Sequence, residues 1–224
     1  MIVLYIFDKE IYLDLEVRNY YSIVIENKKK LLELEKYIYF DFSGKEEFIK
    51  CKIDNNFINP DKIATLIYPI FNPDFNNKRN INSLYKILKN FYREDVDSSV
   101  ETINSKIKEI IDTISLDYSI NIETTEEIKI EDIFKISNLR FAENYNSLLE
   151  RIIQFCVVTK EIRNVFIFFV FDLNKYFEQE EIQLLLKDLY IKGIFLINIE
   201  NSVKENEETK HISLLIDSDL CVIN

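Results

Sequence analysis

A seven-residue apolar run, Val165 to Phe171, constrains the fold of this 224-residue chain more than any other segment. The run is rich in phenylalanine and valine and too short for a membrane span, so it predicts a buried strand covered on both faces. A helical pattern from Glu178 to Tyr190 follows, then Gly193, then a second apolar run from Ile194 to Ile199. Strand, helix and strand at this spacing predict a βαβ unit and therefore an α/β fold.

The chain before this unit begins with strand patterns. Asn27 is placed to cap an amphipathic helix that runs to Tyr37, because its side chain can accept a hydrogen bond from the first helical turn. Short apolar or alternating runs predict strands elsewhere. The predicted strands are Ile2–Phe7, Ile11–Leu15, Tyr20–Ile25, Tyr39–Phe42, Phe48–Ile53 and Leu139–Phe141, with closing strands at Ile212–Ile216 and Leu220–Ile223.

Helical spacing dominates the middle of the chain. Asn59-Pro60 suits the start of a helix, because proline is tolerated in the first turn. The predicted helices are Asp61–Tyr68, Ile81–Phe91, Val96–Ser115, Ile128–Ile136 and Tyr145–Val158, and Tyr118–Ile122 between them is expected to be extended. We therefore predict an α/β head formed by residues 1–58 and 138–224, interrupted by an all-helical leg formed by residues 59–137.

Glycine is nearly absent, with Gly44 and Gly193 the only two in the chain. Glycine supplies the left-handed backbone of tight turns, so its scarcity argues against glycine-rich phosphate loops and hairpin-dense β architectures. Gly44-Lys45 is the only Gly-Lys pair, and Tyr39 and Glu46 stand where a P-loop needs glycine and a hydroxyl residue. We expect a surface turn at Gly44.

Cysteine and histidine usage argues against a zinc site. Cys51, Cys156 and Cys221 are far apart, and His211 is the single histidine. We expect reduced core thiols of a cytoplasmic protein. No apolar run reaches the roughly 18 residues that a membrane span needs, and the start of the chain lacks the basic residues of a signal peptide.

Acidic residues cluster after the long helix of the leg. Crowded carboxylates repel one another unless cations lie between them, and their hard oxygen atoms suit calcium. The spacing is not that of an EF-hand, and a solvated acidic face is the alternative. The candidate metal ligands are Asp117, Glu123, Glu126, Glu127 and Glu131.

Lysines also cluster, although the formal net charge of −11 argues against a nucleic-acid-binding protein. Three consecutive lysines follow Asn27 at the predicted helix start, where they oppose the helix dipole, and this suggests a use beyond folding. The alternative for each lysine is an ordinary solvated side chain. The candidates for binding residues are Lys28, Lys29, Lys30, Lys50, Lys52 and Lys135.

The order of elements, and above all the tail from Tyr145 to Asn224, resembles the Csn2 family of type II-A CRISPR adaptation proteins. The segment Ile128 to Phe141 is similar to the family's short helix between leg and head. The tail patterns that carry the resemblance are Asn164–Phe171, Asp172–Phe177, Glu180–Ile182, Phe195–Glu200 and the closing Ile216-Asp217-Ser218-Asp219-Leu220-Cys221-Val222-Ile223.

The resemblance implies a non-catalytic protein with an α/β head, whose P-loop-like sheet carries no Walker motif, and an inserted helical leg. It implies a homotetrameric ring that binds double-stranded DNA ends in its central hole, with calcium stabilising the assembly. It further implies a role in spacer acquisition beside the CRISPR integrase complex and the effector nuclease. Under this resemblance the candidate lysines become DNA contacts and the candidate carboxylates become calcium ligands.

The acidic net charge does not exclude this function, because the local field at the lysines decides DNA binding. Contacts to phosphate would make binding independent of sequence and strongly dependent on salt. Two rival functions stay open. One is a degenerate nucleotide-binding α/β enzyme, and the other is a protein–protein scaffold of the same pathway that does not bind DNA.

Overall fold

The computed structural model describes residues 2–44, 47–91, 94–118, 126–202, 212–219 and 221–223. The chain divides into two compact units. Unit 1 comprises Met1–Phe75 and Asn144–Asn224, and unit 2 comprises Asn76–Glu143. The chain is thus an α/β unit with a helical insertion, and the predicted fold class is confirmed.

Unit 1 carries all the strands that the structure describes. Its elements are β1 (Ile2–Ile6), β2 (Lys9–Leu13), β3 (Tyr20–Ile25), α1 (Lys28–Tyr39), β4 (Ile49–Ile53), β5 (Asn56–Ile58), a 3₁₀ turn (Pro60–Lys62), β6 (Ala64–Leu66), α5 (Leu148–Arg163), β7 (Ile167–Phe171), a second 3₁₀ turn (Leu173–Lys175), α6 (Gln179–Ile191), β8 (Phe195–Glu200), β9 (Ile212–Ile216) and β10 (Val222–Ile223). Unit 2 carries α2 (Lys78–Asn90), α3 (Glu94–Tyr118) and α4 (Ile130–Ile136).

A six-stranded sheet in the order β10-β9-β3-β8-β7-β6 forms the centre of unit 1. β3, β6, β7, β8 and β9 run parallel, and β10 is antiparallel to β9. β7 and β8 pair in parallel across α6, which confirms the predicted βαβ unit. Gly193 ends the crossover with φ of 64°, a left-handed conformation that glycine adopts without strain.

The central sheet is covered on both faces. Phe169 of β7 joins the cluster that also contains Leu34 and Ile38 of α1 and Leu4 and Ile49 of the N-terminal strands. The neighbouring Phe168 points the other way, with its ring centroid 6.0 Å from that of Phe155 in α5. Helices α5 and α6 pack against each other on that second face. The alternation along β7 therefore fixes a core on each side of the sheet.

A smaller, four-stranded antiparallel sheet has the order β2-β1-β4-β5. Its hairpins turn at Phe7-Asp8 and at Asp54-Asn55, and all four residues have positive φ, between 45° and 69°. The expectation against hairpin-dense β architectures does not extend to this smaller sheet, whose two hairpins form without glycine. Aspartate and asparagine tolerate the left-handed region, and the surrounding ladder holds Phe7 there as well.

Three local predictions are also wrong. Asp61–Tyr68 is not a helix, because after the 3₁₀ turn the residues Ala64–Leu66 form β6, which pairs with β7. Tyr39–Phe42 is not a strand, because Tyr39 ends α1 and a left-handed turn follows. Leu139–Phe141 is not a strand, because the Leu139 amide bonds the end of α4 and the Phe141 amide bonds the Asn76 side chain.

The helical insertion is therefore shorter at its start than residues 59–137, since the residues up to Phe75 belong to unit 1. Within unit 2, the Asn104 side chain exchanges two hydrogen bonds with the backbone of Ile128, at 3.0 and 2.8 Å. The expected extended piece Tyr118–Ile122 falls outside the described residues after Tyr118. In the part of the chain that the structure describes, no helix is long and apolar enough to cross a membrane.

Candidate nucleic-acid interface

Two of the candidate lysines project from the outer face of β4. Lys50 pairs in register with Tyr5 of β1, and Lys52 pairs with Val3 of β1 and Phe57 of β5. Cys51 lies between the two lysines and points into the core, where burial raises the pKa of its thiol to about 12. Because strand residues alternate, both lysines share the face that is turned away from the core.

Aromatic rings accompany these lysines. The ring centroids of Tyr5 and Phe57 are 6.0 Å apart, and the Lys52 Nζ lies 5.8 Å from the Phe57 centroid. Phe57 is 67% exposed and Tyr12 of β2 is 55% exposed, although both are large and largely apolar. This outer face therefore combines cations with accessible rings, a combination that nucleic-acid-binding sheets use.

The first turn of α1 supplies the other three lysines of unit 1. Asn27 caps the helix, since its side-chain oxygen accepts a hydrogen bond from the Lys30 amide at 3.1 Å. Its side-chain amide donates to the Ser218 carbonyl at 2.8 Å, which ties the helix start to the segment after β9. Lys28 and Lys29 are exposed, and Lys30 is partly buried and pairs with Glu33 at 2.8 Å.

An aromatic contact joins the start of α1 to the edge of β4. The Lys30 Nζ lies 5.6 Å from the centroid of Phe48, and the Phe48 ring lies 5.4 Å from that of Phe7. The residue after Phe7, Asp8, pairs with Lys50 at 2.9 Å. We call the five lysines that the two elements contribute the lysine surface: Lys28, Lys29, Lys30, Lys50 and Lys52.

Two carboxylates, Asp8 and Glu33, form ion pairs with lysines of the lysine surface. Asp8 raises the pKa of Lys50 through its hydrogen bond, so Lys50 stays charged at neutral pH. The hydrogen bond from Lys30 lowers the pKa of Glu33, so this carboxylate stays charged as well. Solvent-accessible ion pairs of this kind are weak, so an incoming phosphate can take the place of Asp8 or Glu33 at little cost in free energy.

Lys135 belongs to unit 2. It lies in the last turn of α4, is exposed, and pairs with Asp132 at 2.9 Å. The hydrogen bond to Asp132 raises its pKa. The ion pair is local to α4, so the structure accounts for Lys135 within its own helix and does not add it to the lysine surface.

The candidate metal ligands are engaged elsewhere or stand apart. Glu127 pairs with Lys108 at 3.2 Å, and Glu131 pairs with Lys89, whose hydrogen bond lowers the pKa of Glu131. Asp117 and Glu126 are exposed, and Glu123 lies outside the described residues. Among the residues described, no three His, Cys, Asp or Glu side chains are placed to hold a metal ion. The described carboxylates of one chain thus do not fit a calcium site.

The junction of β3 and α1 joins a parallel strand of the central sheet to a helix, the kind of junction at which phosphate loops form. Here the junction is Glu26-Asn27, without glycine. The Asn27 side chain already accepts a hydrogen bond from a backbone amide in the first turn of α1. The Glu26 amide donates to the Ile216 carbonyl at 2.9 Å. Gly44 lies in a bend after α1, away from any strand-to-helix junction, while Lys45 and Glu46 lie outside the described residues.

Residues 41–220 match the model of a protein family described as CRISPR-associated protein (Cas_Csn2). None of the curated proteins matches the sequence. Among solved structures, the ATP-binding cassette of an ABC transporter in its ADP conformation aligns with 96% of this chain and 86% of its own length. The two share 14% identity, and the TM-score of 0.41 is too low to indicate a shared fold.

Proposed function

The chain belongs to the CRISPR-associated Cas_Csn2 family, and from this membership we propose that it binds the ends of double-stranded DNA as a homotetrameric ring, without catalysing a reaction. Family membership gives it a CRISPR-associated role in adaptation. The proposed setting is the cytoplasm, where the ring would hold a DNA end for the integrase complex and the effector nuclease during spacer acquisition.

The lysine surface is the observation that supports this proposal. Lys30 of α1 lies beside Phe48, which contacts Phe7, and Lys50 of β4 pairs with Asp8, the residue after Phe7. Lys28 and Lys29 precede Lys30 in α1, and Lys52 lies on the same face of β4 as Lys50. Lysine contacts to phosphate hold a duplex without reading its bases, so a ring lined with this surface would accept any sequence. Exposed Phe57 and Tyr12 would add stacking surface where the bases of a frayed end separate.

The acidic net charge of −11 is compatible with this proposal. At physiological ionic strength a charge is felt over about 8 Å, so a phosphate at the lysine surface responds mainly to its neighbours. Those neighbours include Asp8 and Glu33, whose ion pairs with Lys50 and Lys30 are accessible to solvent and replaceable.

Calcium is proposed as a stabiliser of the assembled ring rather than as part of the DNA contact. The described carboxylates of one chain do not gather into a site. The calcium ligands would then include carboxylates outside the described residues, such as Glu123, or carboxylates of two copies. The proposed lysine contacts to DNA do not involve the ion, which would act on binding only through the stability of the ring.

A comparison of linear and covalently closed circular duplexes of the same sequence tests the proposal. Each is titrated with protein in a gel-shift assay, once with calcium and once with a chelator. We expect binding of the linear form only, because a ring can thread over an end but not onto a closed circle. We also expect the chelator to weaken that binding and to lower the mass of the assembly.

A matched pair of variants tests the lysine surface. Lys50→Gln with Lys52→Gln removes two cations from β4, and we expect at least about tenfold weaker binding of linear DNA at 0.15 M salt. The control is Lys187→Gln with Lys192→Gln, which removes two exposed cations at α6 on the opposite side of the central sheet. The control should bind like the unaltered protein.

Equal binding of linear and circular DNA would contradict threading. Equally weakened binding in both double variants would mean that overall charge, and not the lysine surface, governs affinity. Binding of neither DNA form would favour the scaffold function.

A further inference from the structure

A cavity of about 510 Å³ opens at the carboxyl ends of two parallel strands of the central sheet. Its lining includes Leu66 at the end of β6, Phe171 at the end of β7 and Tyr39 at the end of α1. In open parallel sheets, ligands bind outside the carboxyl ends of the strands, and this volume lies in the usual range for ligand pockets.

Exposed aromatic rings form the walls of the cavity. Tyr39 and Tyr68 meet edge to face with centroids 5.2 Å apart, and Phe71 and Tyr176 meet in the same way at 4.9 Å. Tyr68 is 58% exposed and Phe71 is 62% exposed. Exposed Leu32 also lines the cavity, and exposed Phe40 extends the apolar surface through its ring contact with Tyr39. A continuous exposed apolar patch of this kind indicates a protein-docking surface.

A carboxylate stands in this apolar lining. Glu35 of α1 is partly buried, and in the described part of the chain its carboxylate makes no hydrogen bond or ion pair. Burial, and then the charge of Asp172, raise the pKa of Glu35, while Lys175 lowers it. Lys175 already pairs with Asp172 at 2.5 Å, so it is not available to Glu35 as a direct partner.

The remaining charged residue of the lining is Lys36, which is exposed. The positive charge that acts on the neighbouring Glu35, and lowers its pKa, is that of Lys175. The cavity therefore presents one unpaired carboxylate among five aromatic rings, those of Tyr39, Tyr68, Phe71, Phe171 and Tyr176. Both features attract the same kind of group, a cation that can lie against a ring and pair with a carboxylate.

We propose that this cavity receives an arginine side chain of a partner protein, with the guanidinium against the tyrosine rings and paired with Glu35. Arginine suits the site better than lysine, because its planar, weakly hydrated guanidinium stacks on rings and can bond both carboxylate oxygens. The apolar surface around the mouth selects a protein segment with apolar residues beside the arginine over a free small cation. This inference does not rest on DNA binding.

A fluorescent reporter tests the proposal directly. The chain contains no tryptophan, so Phe71→Trp places a single indole at the cavity wall. The reporter protein is titrated with the peptide acetyl-Leu-Arg-Leu-amide and with the same peptide carrying citrulline, a neutral isostere of arginine. We expect a saturable change in emission with the arginine peptide and roughly tenfold weaker binding of the citrulline peptide.

A variant pair in the reporter background isolates the carboxylate. Glu35→Gln should reduce affinity for the arginine peptide by about tenfold and leave affinity for the citrulline peptide unchanged. Glu33→Gln is the matched control, since Glu33 lies on the same helix, pairs with Lys30 and does not line the cavity. It should leave both affinities unchanged, and thermal melts establish that each variant is folded.

Equal affinity for the two peptides, or an affinity that Glu35→Gln does not change, would overturn the proposal. So would an emission change that follows protein concentration without peptide, with a matching rise in mass, because a second copy of the chain would then be the occupant. None of these readouts involves DNA, so the DNA-binding proposal can fail or succeed independently.

Discussion

Single residues differ sharply in how well their charges are compensated. Lys50, Lys30 and Lys175 each have a carboxylate partner within 3 Å, whereas Glu35 has only the more distant field of Lys175 against burial and Asp172. The folded protein therefore holds the Glu35 proton more tightly than the unfolded chain does, and the charged form destabilises the fold.

Replacing Glu35 tests this imbalance through its pH dependence. The destabilisation is present above the raised pKa of the folded state and vanishes as the pH falls below the ordinary value of 4.5. We expect Glu35→Gln to raise the melting temperature at pH 7 by a small amount, on the order of 1–2 °C since solvent screens a partly exposed group, and to have no effect near pH 4. A gain that is equal at both pH values, measured by calorimetry, would rule out a charge effect.

The three cysteines should react at very different rates. Burial raises the pKa of the Cys51 and Cys156 thiols, whereas Cys221 is exposed. Because the thiolate is the reactive form, we expect iodoacetamide at pH 8 to add rapidly to Cys221 alone. Peptide mass spectrometry identifies the labelled position, and denatured protein, in which all three should react, is the control. Rapid labelling of Cys51 in the folded protein would contradict the packing of β4.

At the scale of elements, the first turn of α1 matters because three lysines depend on its position. Asn27→Ala removes the helix cap and the bond to Ser218, and we expect the free energy of unfolding to fall by about 1 kcal/mol. Asn27→Asp keeps the capping oxygen beside Lys28–Lys30 and should be less destabilising. Urea unfolding measures both variants. An equal decrease in the two would mean that the bond to Ser218, and not the cap, holds the helix start.

The secondary structure of elements with a strong hydrophobic period was predictable from the sequence, whereas that of short apolar segments was not. The βαβ unit from β7 to β8 and helix α1 follow from periodicity and capping alone. β6 is so short that its hydrophobic period cannot distinguish a strand from a helix. Its pairing with β7, which the sequence does not reveal, makes it a strand. Both strands of the first hairpin were predicted, as Ile2–Phe7 and Ile11–Leu15, whereas β5 and with it the second hairpin were missed. The left-handed turn of that second hairpin uses Asp54 and Asn55 instead of glycine.

The candidate lysines could be named from the sequence one by one but their arrangement could not, and their role in DNA binding stays a prediction. Lysine runs and alternation on β4 pointed to the members of the lysine surface. The approach of Lys30 to the edge of β4 runs through the contact between Phe7 and Phe48, which are distant in sequence, and no local pattern reports such a contact. The aromatic cavity beside Glu35 was missed for the same reason, since separate segments of the chain supply its walls.

The net charge of the whole chain should repel DNA and the proposed contacts of the lysine surface should attract it, so ionic strength should separate the two effects. The formal net charge is −11 per chain. The screening length is about 10 Å at 0.1 M salt and about 30 Å at 0.01 M, so the acidic residues beyond the lysine surface act on DNA only when salt is low. Above roughly 0.1 M, added salt should weaken binding in the usual way, because each lysine–phosphate contact releases counterions.

We therefore expect the affinity for linear duplex DNA to pass through a maximum at intermediate salt. Fluorescence anisotropy with one labelled duplex, from about 10 mM to about 300 mM sodium chloride, measures the curve. Above the maximum, Lys50→Gln with Lys52→Gln should flatten the slope of log K against log salt, by about 0.9 for each phosphate that the variant no longer neutralises. Below it, long-range repulsion should persist in that variant, because its acidic residues are unchanged. If the affinity instead rises steadily down to the lowest salt concentration, repulsion by the acidic residues does not reach the bound DNA. A basic area larger than the lysine surface would then separate the DNA from those residues.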